Sequence, residues 1–378
     1  MVNTLAEPPL NREQPLRELV SNGRRYITSK GAYHRNHSAI PTIDGDVHLV
    51  QVNGEVTNPI NLTLKQLRED YTQYEVTCAL QCAGNRRHTM RTKLKEVRGI
   101  DWKDGAVMNC TWRGPRLRDV LLRAGVKSEY AAQCPLHVEF SCYQALCEDD
   151  DYYAGSIEIW RAMDPGKEVI LALEMNGETL RPDYGYPVRL VIPGIIGARW
   201  VKWLDTITVK TIESPNFYQA HDYKVLPPEV LTWEMAEEYW PKMPCMQETL
   251  VNSVVAVPDD GETVTLTPDG YVEVKGYAVP HGHEGPVIRV EVSGDEGKTW
   301  IDADLYAGQP AQKYKWAWVL WRARVKMDSG PNQTIYSRAT DAGGNTQPFT
   351  SEWNLRGVGY NGYGASWNVK VIQAQLRL

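Results

Sequence analysis

The sequence predicts a mixed α+β domain followed by an all-β sandwich of immunoglobulin-like size, with an arm in front of both. Three observations carry this prediction. Between residues 46 and 245, strand-like runs and short helices interleave without the regular spacing of a doubly wound sheet. From residue 250 to 378, strand-like segments alternate with turns rich in Gly, Asp, Pro and Ser. A chain of 378 residues with 42% apolar content can also bury two cores.

Residues 1–45 are polar and turn-rich and read as an extended arm laid over the first domain. HLVQVNGEV at 48–56 alternates and then turns at Asn53-Gly54, a hairpin signal. LTLKQLRED at 62–70 has leucines at helical spacing, with Thr63 placed to cap the helix. EVTCALQC predicts a strand, and LRDVLLRAG at 117–125 a helix ended by Gly125. LHVEFS, VILALEM, PVRLVIPG and VKWLDTITV complete the strand candidates of this domain. The Pro- and aromatic-rich segment 223–246 joins it to the next. There SVVAVP, YVEVKGYAVP, PVIRVEVS, WAWVLWRARVK and TIYSRATD read as strands.

Composition removes several functions. A net charge of −6 argues against nucleic acid, whose backbone needs a local excess of Lys and Arg. No run of eighteen apolar residues suggests a membrane span, and MVNTLAEPPLNREQPL lacks the succession of a secretory signal. Seven cysteines, none beyond Cys245, fit reduced thiols in an intracellular protein. The final Leu-Arg-Leu ends like a peroxisomal address without its small first residue, so a peroxisomal or a cytoplasmic location is expected.

The segment VTCALQCAGNRRHTMRTKLKEVRG, 76–99, sets a buried-looking cysteine strand against a run of positive charge. Three readings are open from the residues. Cys82 is a core thiol, Gly84 serves a turn and the arginines face solvent. Or Arg86, Arg87, Arg91, Lys93, Lys95 and Arg98 form a basic patch. Or Cys82 is a reactive thiolate or soft-metal ligand, with arginines holding an anion beside it.

LQCAGNRR resembles the molybdenum-ligating segment of the sulfite oxidase family, which includes the molybdenum domain of eukaryotic nitrate reductase. The likeness extends in order through HRNHSAIP (34–41), VRGIDW (97–102), AMDPGKEVILALEMNGETL (162–180), GYPVRLVIPGIIGARWVKWLD (185–205), DYK (222–224), VKGYAVPHG (274–282), DEGKTW (295–300), WAWVLW (316–321) and WNLRGV (353–358). The resemblance implies a molybdopterin-binding domain of the sulfite oxidase type followed by an immunoglobulin-like β-sandwich that makes a homodimer. It implies that Cys82 is the protein's sulfur ligand to molybdenum, which a soft thiolate suits. Arg35, Arg87, Arg98, Trp102, Tyr223 and Arg356 would then surround the reaction. Tyr33, His34, Arg35, Asn36, His37, Tyr184, Arg189, Trp200, Val201 and Lys202, with Cys82, would hold the molybdopterin. Taken singly, Tyr223 reads equally as a linker aromatic, Arg35 as a solvated arm residue and Trp102 as packing.

Departures from the family pattern are visible too. Tyr184 stands where a cofactor-contacting histidine is usual, the stretch 139–151 differs, and GYNGYGASW at 359–367 replaces a tighter family loop near the domain interface. Arg356, where nitrate reductases tend to carry methionine, favours oxidation of sulfite over reduction of nitrate. Without a preceding haem domain the resemblance is to the haem-free plant type, with molecular oxygen or an external acceptor taking the electrons. A nitrate reductase-like domain and a non-catalytic interaction protein are the alternatives.

Overall fold

The computed structural model describes residues 7–20, 26–28, 31–127 and 135–374. Cys134 and the C-terminal Leu-Arg-Leu lie outside them. The predicted hairpin is present: Leu49–Gly54 and Ile60–Thr63 pair antiparallel, and Gly54 turns the chain at φ +85°. Thr63 then starts the helix Leu64–Glu69 through a reciprocal cap. Its hydroxyl accepts the Gln66 amide at 3.2 Å, and the Gln66 side chain accepts the Thr63 amide at 3.0 Å. The helix Leu117–Arg123 stops at Ala124 and Gly125, the latter at φ +84°.

The hairpin extends into a five-stranded sheet through Thr206–Lys210, His137–Cys142 and Tyr153–Glu158. Among the described residues of this sheet only the pairing of Leu49–Gly54 with Thr206–Lys210 is parallel, so the domain is α+β rather than a wound parallel sheet. A second sheet pairs Gln73–Gln81 with Val107–Pro115, and a third pairs Ile170–Ala172 with Arg189–Val191. All three contribute to one core containing Val52, Leu67, Trp112, Phe140, Leu171 and Ile207.

Beyond residue 250 two sheets close on one another. One runs Asn252–Val257, Tyr271–Val279, Val319–Lys326 and Asp304–Tyr306. The other runs Thr263–Thr265, Gly364–Ile372, Gly330–Asp341, Val287–Ser293 and Ile301–Asp302. Val274 and Trp321 from the first meet Val292, Ile335 and Val369 from the second in a shared core. Sequence reading found Ile170–Ala172 and Arg189–Val191 but missed Val107–Pro115 and Tyr153–Glu158. Glu178–Thr179, Thr263–Thr265, Ile301–Asp302 and Asp304–Tyr306 were missed as well, being too short to show a period. It also took the start of Gly364–Ile372 for loop, because glycine and tryptophan break its alternation.

The arm departs from expectation. It contains a five-residue helix, Leu16–Val20, and this helix does not cover the first domain alone. Leu19 and Val20 are buried against Val254, Ala256, Tyr277 and Leu320 of the C-terminal domain. The arm therefore bridges both domains.

The strand Gln73–Gln81 faces two ways. By the two-residue period, Cys78, Leu80 and Cys82 point into the first domain, and Ala79 and Gln81 toward the second. The Ala79 amide donates to the Trp316 carbonyl at 2.9 Å across that junction. The turn after the strand is held more strongly. Arg86, 1% exposed and in the left-handed region at φ 69°, donates to Asn252 Oδ1 (2.7 Å) and the carbonyls of Gly362 (2.6 Å) and Tyr363 (2.7 Å). Truncating Arg86 to Ala strands these buried acceptors and leaves Asp104, 3.6 Å away, without its cation. We expect a loss of about 3–5 kcal/mol in denaturant unfolding, with the domain junction opening first in hydrogen exchange.

A buried cationic cavity around Cys82

Cys82 closes the strand that begins at Gln73, and the chain turns sharply behind it. Its amide donates to the Ala106 carbonyl at 2.9 Å and its carbonyl accepts the Asn85 amide at 3.0 Å. The thiol is 5% exposed and lines a cavity walled by charged, aromatic and apolar side chains. Burial pushes the thiol's pKa up, although Arg87, the Gly84 amide and Arg35 all favour the thiolate. A cation bound at the sulfur would reverse that balance.

The cavity lies between the arm, the strand ending at Cys82, and the segments 183–189 and 197–203. Tyr33, Arg35, Asn36, His37, Tyr184, Arg189, Trp200, Val201, Lys202 and Tyr223 all line it with Cys82. Arg189 is 3% exposed, stacks its guanidinium 4.7 Å from the Trp112 ring, and donates to the Tyr184 carbonyl at 3.1 Å. Burial pushes it down to about 10. Lys202 donates to Asn36 Oδ1 and is pushed down to about 7, first by burial and then by the charge of Arg189. Arg35 donates to Asn11 Oδ1 at 3.3 Å and to the Asn36 carbonyl. Asp183 is the one carboxylate in the lining, and it already bonds Arg181 (2.9 Å) and His34 (3.1 Å). Two arginines and a lysine held near neutrality therefore share a buried space whose lining carries one committed carboxylate, Asp183.

Five of the expected site residues lie outside the cavity lining, each for a physical reason. Arg87 is buried, but it donates to the carbonyls of Ile100 (2.8 Å), Arg356 (3.0 Å) and Gly357 (3.2 Å). Its charge still acts on Cys82 from behind. Gly84 serves this packing rather than a strained turn: a Cβ there would come within 2.6 Å of the Arg87 guanidinium. Arg98 has an exposed side chain, and the residue is anchored by its amide to the Leu355 carbonyl at 2.8 Å. Trp102 is 3% exposed and belongs to the apolar core. His34 stacks on Tyr184 with ring centres 4.8 Å apart, and its buried Nδ1 has no hydrogen-bond partner among the described residues.

Arg356 is the largest difference. Expected as a third arginine in an anion pocket, it instead donates through Nε to Asp222 Oδ1 at 3.0 Å, with Nη2 on the same oxygen. Burial would raise the Asp222 carboxyl, but the charge and hydrogen bond of Arg356 outweigh it and hold the pKa below its usual value. The same oxygen accepts the Tyr223 amide at 2.8 Å. Asp222 was within reach of sequence reading, since it begins the Asp-Tyr-Lys triplet. Tyr153 and Tyr218, which wall His37, carried no spacing signal of their own.

Two family models match the chain. The oxidoreductase molybdopterin binding domain covers residues 37–218, and the Mo-co oxidoreductase dimerisation domain covers residues 243–374. Mitochondrial sulfite oxidase of Homo sapiens is 41% identical over 360 residues, 93% of this chain and 63% of that protein. The chain thus spans less than two thirds of that relative. Sulfite oxidase of Arabidopsis thaliana is 39% identical over 367 residues, 93% of this chain and 90% of its own length. The nitrate reductase of Hordeum vulgare is 38% identical over 95% of this chain and 40% of the enzyme. Among solved structures, the sulfane dehydrogenase SoxCD from Paracoccus pantotrophus superposes with a TM-score of 0.73 at 25% identity, covering 97% of this chain and 86% of that one. With both domains matched, and nine-tenths of the plant relative spanned, the chain belongs to the sulfite oxidase family of molybdopterin oxidoreductases.

Proposed function

We propose that this protein oxidises sulfite to sulfate at a molybdenum–molybdopterin centre, passing electrons to oxygen or to an external acceptor. One observation carries the reading: a buried soft thiol opens onto a cavity where Arg35, Arg189 and Lys202 face a single committed carboxylate. That donor set fits the group. The excess of buried positive charge suits a phosphate-bearing ligand, the orphaned His34 Nδ1 lies next to Asp183 and Tyr184 at its rim, and Cys82 suits a soft metal. When bound, the cofactor supplies the oxygen-atom and two-electron chemistry.

The chain's own residues do the rest. Arg189 and Lys202, at one end of the cavity, would hold the phosphate and pterin edge. Arg35 and Tyr223 would draw in and orient the sulfite oxygens, and the aromatic walls of Trp200, Trp203 and Tyr153 limit water. Tyr184 keeps a donor where the family pattern has a histidine, though its hydroxyl donates to the Ala32 carbonyl at 3.3 Å. The relatives' names support sulfite as substrate, and the dimerisation-domain match supports a homodimer built through an immunoglobulin-like C-terminal sandwich. Sulfite added anaerobically to the purified protein should bleach its metal–sulfur absorption within the mixing time. Cys82→Ser should abolish turnover while pterin fluorescence persists, because a hard hydroxyl replaces the thiolate. Nitrate reduction without sulfite oxidation would defeat the proposal.

Lys202 gives a second expectation. Between its folded value of about 7 and its ordinary value of 10.5, the unfolded chain binds a proton that the native cavity does not. The cofactor-free protein therefore gains stability from this group as pH rises through that window. A bound polyanion returns Lys202 to its charged form, so loading the cofactor at about pH 8 takes up a proton. Calorimetry in buffers of different ionisation enthalpy measures this uptake, and Lys202→Met should remove it.

Arg356 gives a third. Arg356→Met leaves Asp222 buried and uncompensated, so stability should fall by about 3–5 kcal/mol. Adding Asp222→Asn should restore much of it in a double-mutant cycle by thermal melting. A variant of unchanged stability with only a raised KM for sulfite would instead place Arg356 on the substrate.

A further inference from the structure

We propose that His37 is a positioning residue that aims the hydroxyl hydrogen of Tyr223 into the cavity, toward an oxygen of the bound substrate. The inference deepens the sulfite reading above and rests on it for the identity of that oxygen. The argument begins with Arg35. A guanidinium has only donors, so the 3.0 Å bond from Arg35 Nη2 to His37 Nδ1 requires a lone pair on Nδ1. Burial, reinforced by the charges of Arg35, Arg356 and Lys202, holds the imidazole well below its ordinary pKa, so the ring is neutral and has one N–H. That hydrogen sits on Nε2, which lies 2.7 Å from Tyr223 Oη. The phenol oxygen accepts it. Burial keeps Tyr223 protonated, and its own hydrogen is left for a different acceptor.

The geometry leaves few alternatives. Both side chains line the cavity. The ring of His37 packs against Tyr218, centres 4.0 Å apart, and Tyr153, at 5.5 Å. Those two phenols are engaged elsewhere: Tyr153 donates to the Ala198 carbonyl at 2.7 Å, and Tyr218 accepts the Asp149 amide at 3.1 Å. The His37 carbonyl accepts the Glu148 amide at 2.8 Å, which fixes the arm here. Among the described residues the Glu148 carboxylate is the nearest competitor, 3.3 Å from Nδ1 and 3.8 Å from Arg35, with the Asp149 carboxylate in the same cluster within 4.8 Å. Were either to take an Nδ1 hydrogen, the order would invert and Tyr223 would donate to the ring. Arg35, nearer to Nδ1 and itself the donor, prevents this. The result is a run of donors from a charged guanidinium through an imidazole to a phenol, each polarising the next.

Two measurements on the molybdenum-loaded protein test it. Selective labelling with 15N-histidine, with the His37 signals assigned by their absence in His37→Phe, should show a protonated Nε2 and a bare Nδ1. A ring protonated at Nδ1, or at both nitrogens, overturns the proposal. In sulfite turnover, His37→Phe should lower kcat roughly tenfold or more at nearly unchanged KM and molybdenum content. His37→Gln, whose amide carries a donor to the Nε2 position, should recover most of that loss. Wild-type kcat in His37→Phe, or no recovery in a loaded His37→Gln, also overturns it. If the wild-type protein does not oxidise sulfite, the substrate reading fails, and the labelling result alone decides which way the Tyr223 hydroxyl points.

Discussion

Two adjacent arginines, both buried, fix the position of the thiol. Arg86 and Arg87 follow Cys82 by four and five residues, and each directs its guanidinium mainly to backbone carbonyls, with the Asp104 carboxylate beside Arg86 at 3.6 Å. Arg86 reaches the loop at 362–363 and Arg87 the loop at 356–357, both in the C-terminal domain. Charged donors on neutral acceptors give stronger hydrogen bonds than neutral pairs, of about 1.5–3 kcal/mol each. Geometry at Cys82 therefore depends on the second domain being in place. The cavity is not a property of the first domain alone.

Charge inside the molecule follows one rule with two outcomes. Where a carboxylate lies near, a buried cation is paired, as Arg356 is with Asp222 and Arg161 with Glu248 at 2.9 Å. At Arg189 and Lys202, in the cavity lining, no such partner lies within ion-pair distance among the described residues. Arg189 and Lys202 rest on aromatic rings and carbonyl or amide oxygens, and burial pushes both down from their ordinary pKa values. Isolated buried charge is costly. A protein that keeps it there is built for a ligand of opposite sign, and this contrast between paired and unpaired cations marks the site better than any single residue does.

Much of this was legible in the chain. The Thr63 cap, the Gly125 stop and the Asn53-Gly54 turn are local rules, and each appeared where its residues stood. The cysteine strand was legible because its alternation is strict enough to send Cys82 inward and Gln81 the other way. Cavity residues drawn from separate segments were placed by family resemblance, since no spacing links Arg35 to Lys202. Arg98 and Arg356 carry the charge an anion pocket needs, but charge in a sequence does not say whether the side chain faces solvent, as Arg98 does, or is already neutralised, as Arg356 is. Asp222, far from Arg356 along the chain and bonded to it in space, decides that question only after folding.

Tyr223 shows why that pairing matters beyond stability. It is buried and stands at φ 57°, a region that a side chain other than glycine enters at a cost. Strain of this kind is of order 1–3 kcal/mol and persists only where surrounding bonds determine it. Here they do. The Asp222 carboxylate accepts the Tyr223 amide, and the Tyr223 carbonyl accepts the Met246 amide at 2.8 Å, while Arg356 holds Asp222 in its charged form. Glycine would relieve the backbone and lose the phenol, so keeping tyrosine means that its hydroxyl position outweighs the strain. Arg356 thus supports the site through Tyr223's backbone, and Arg35 supports it through His37 and Tyr223's hydroxyl. The two arginines control opposite ends of one residue.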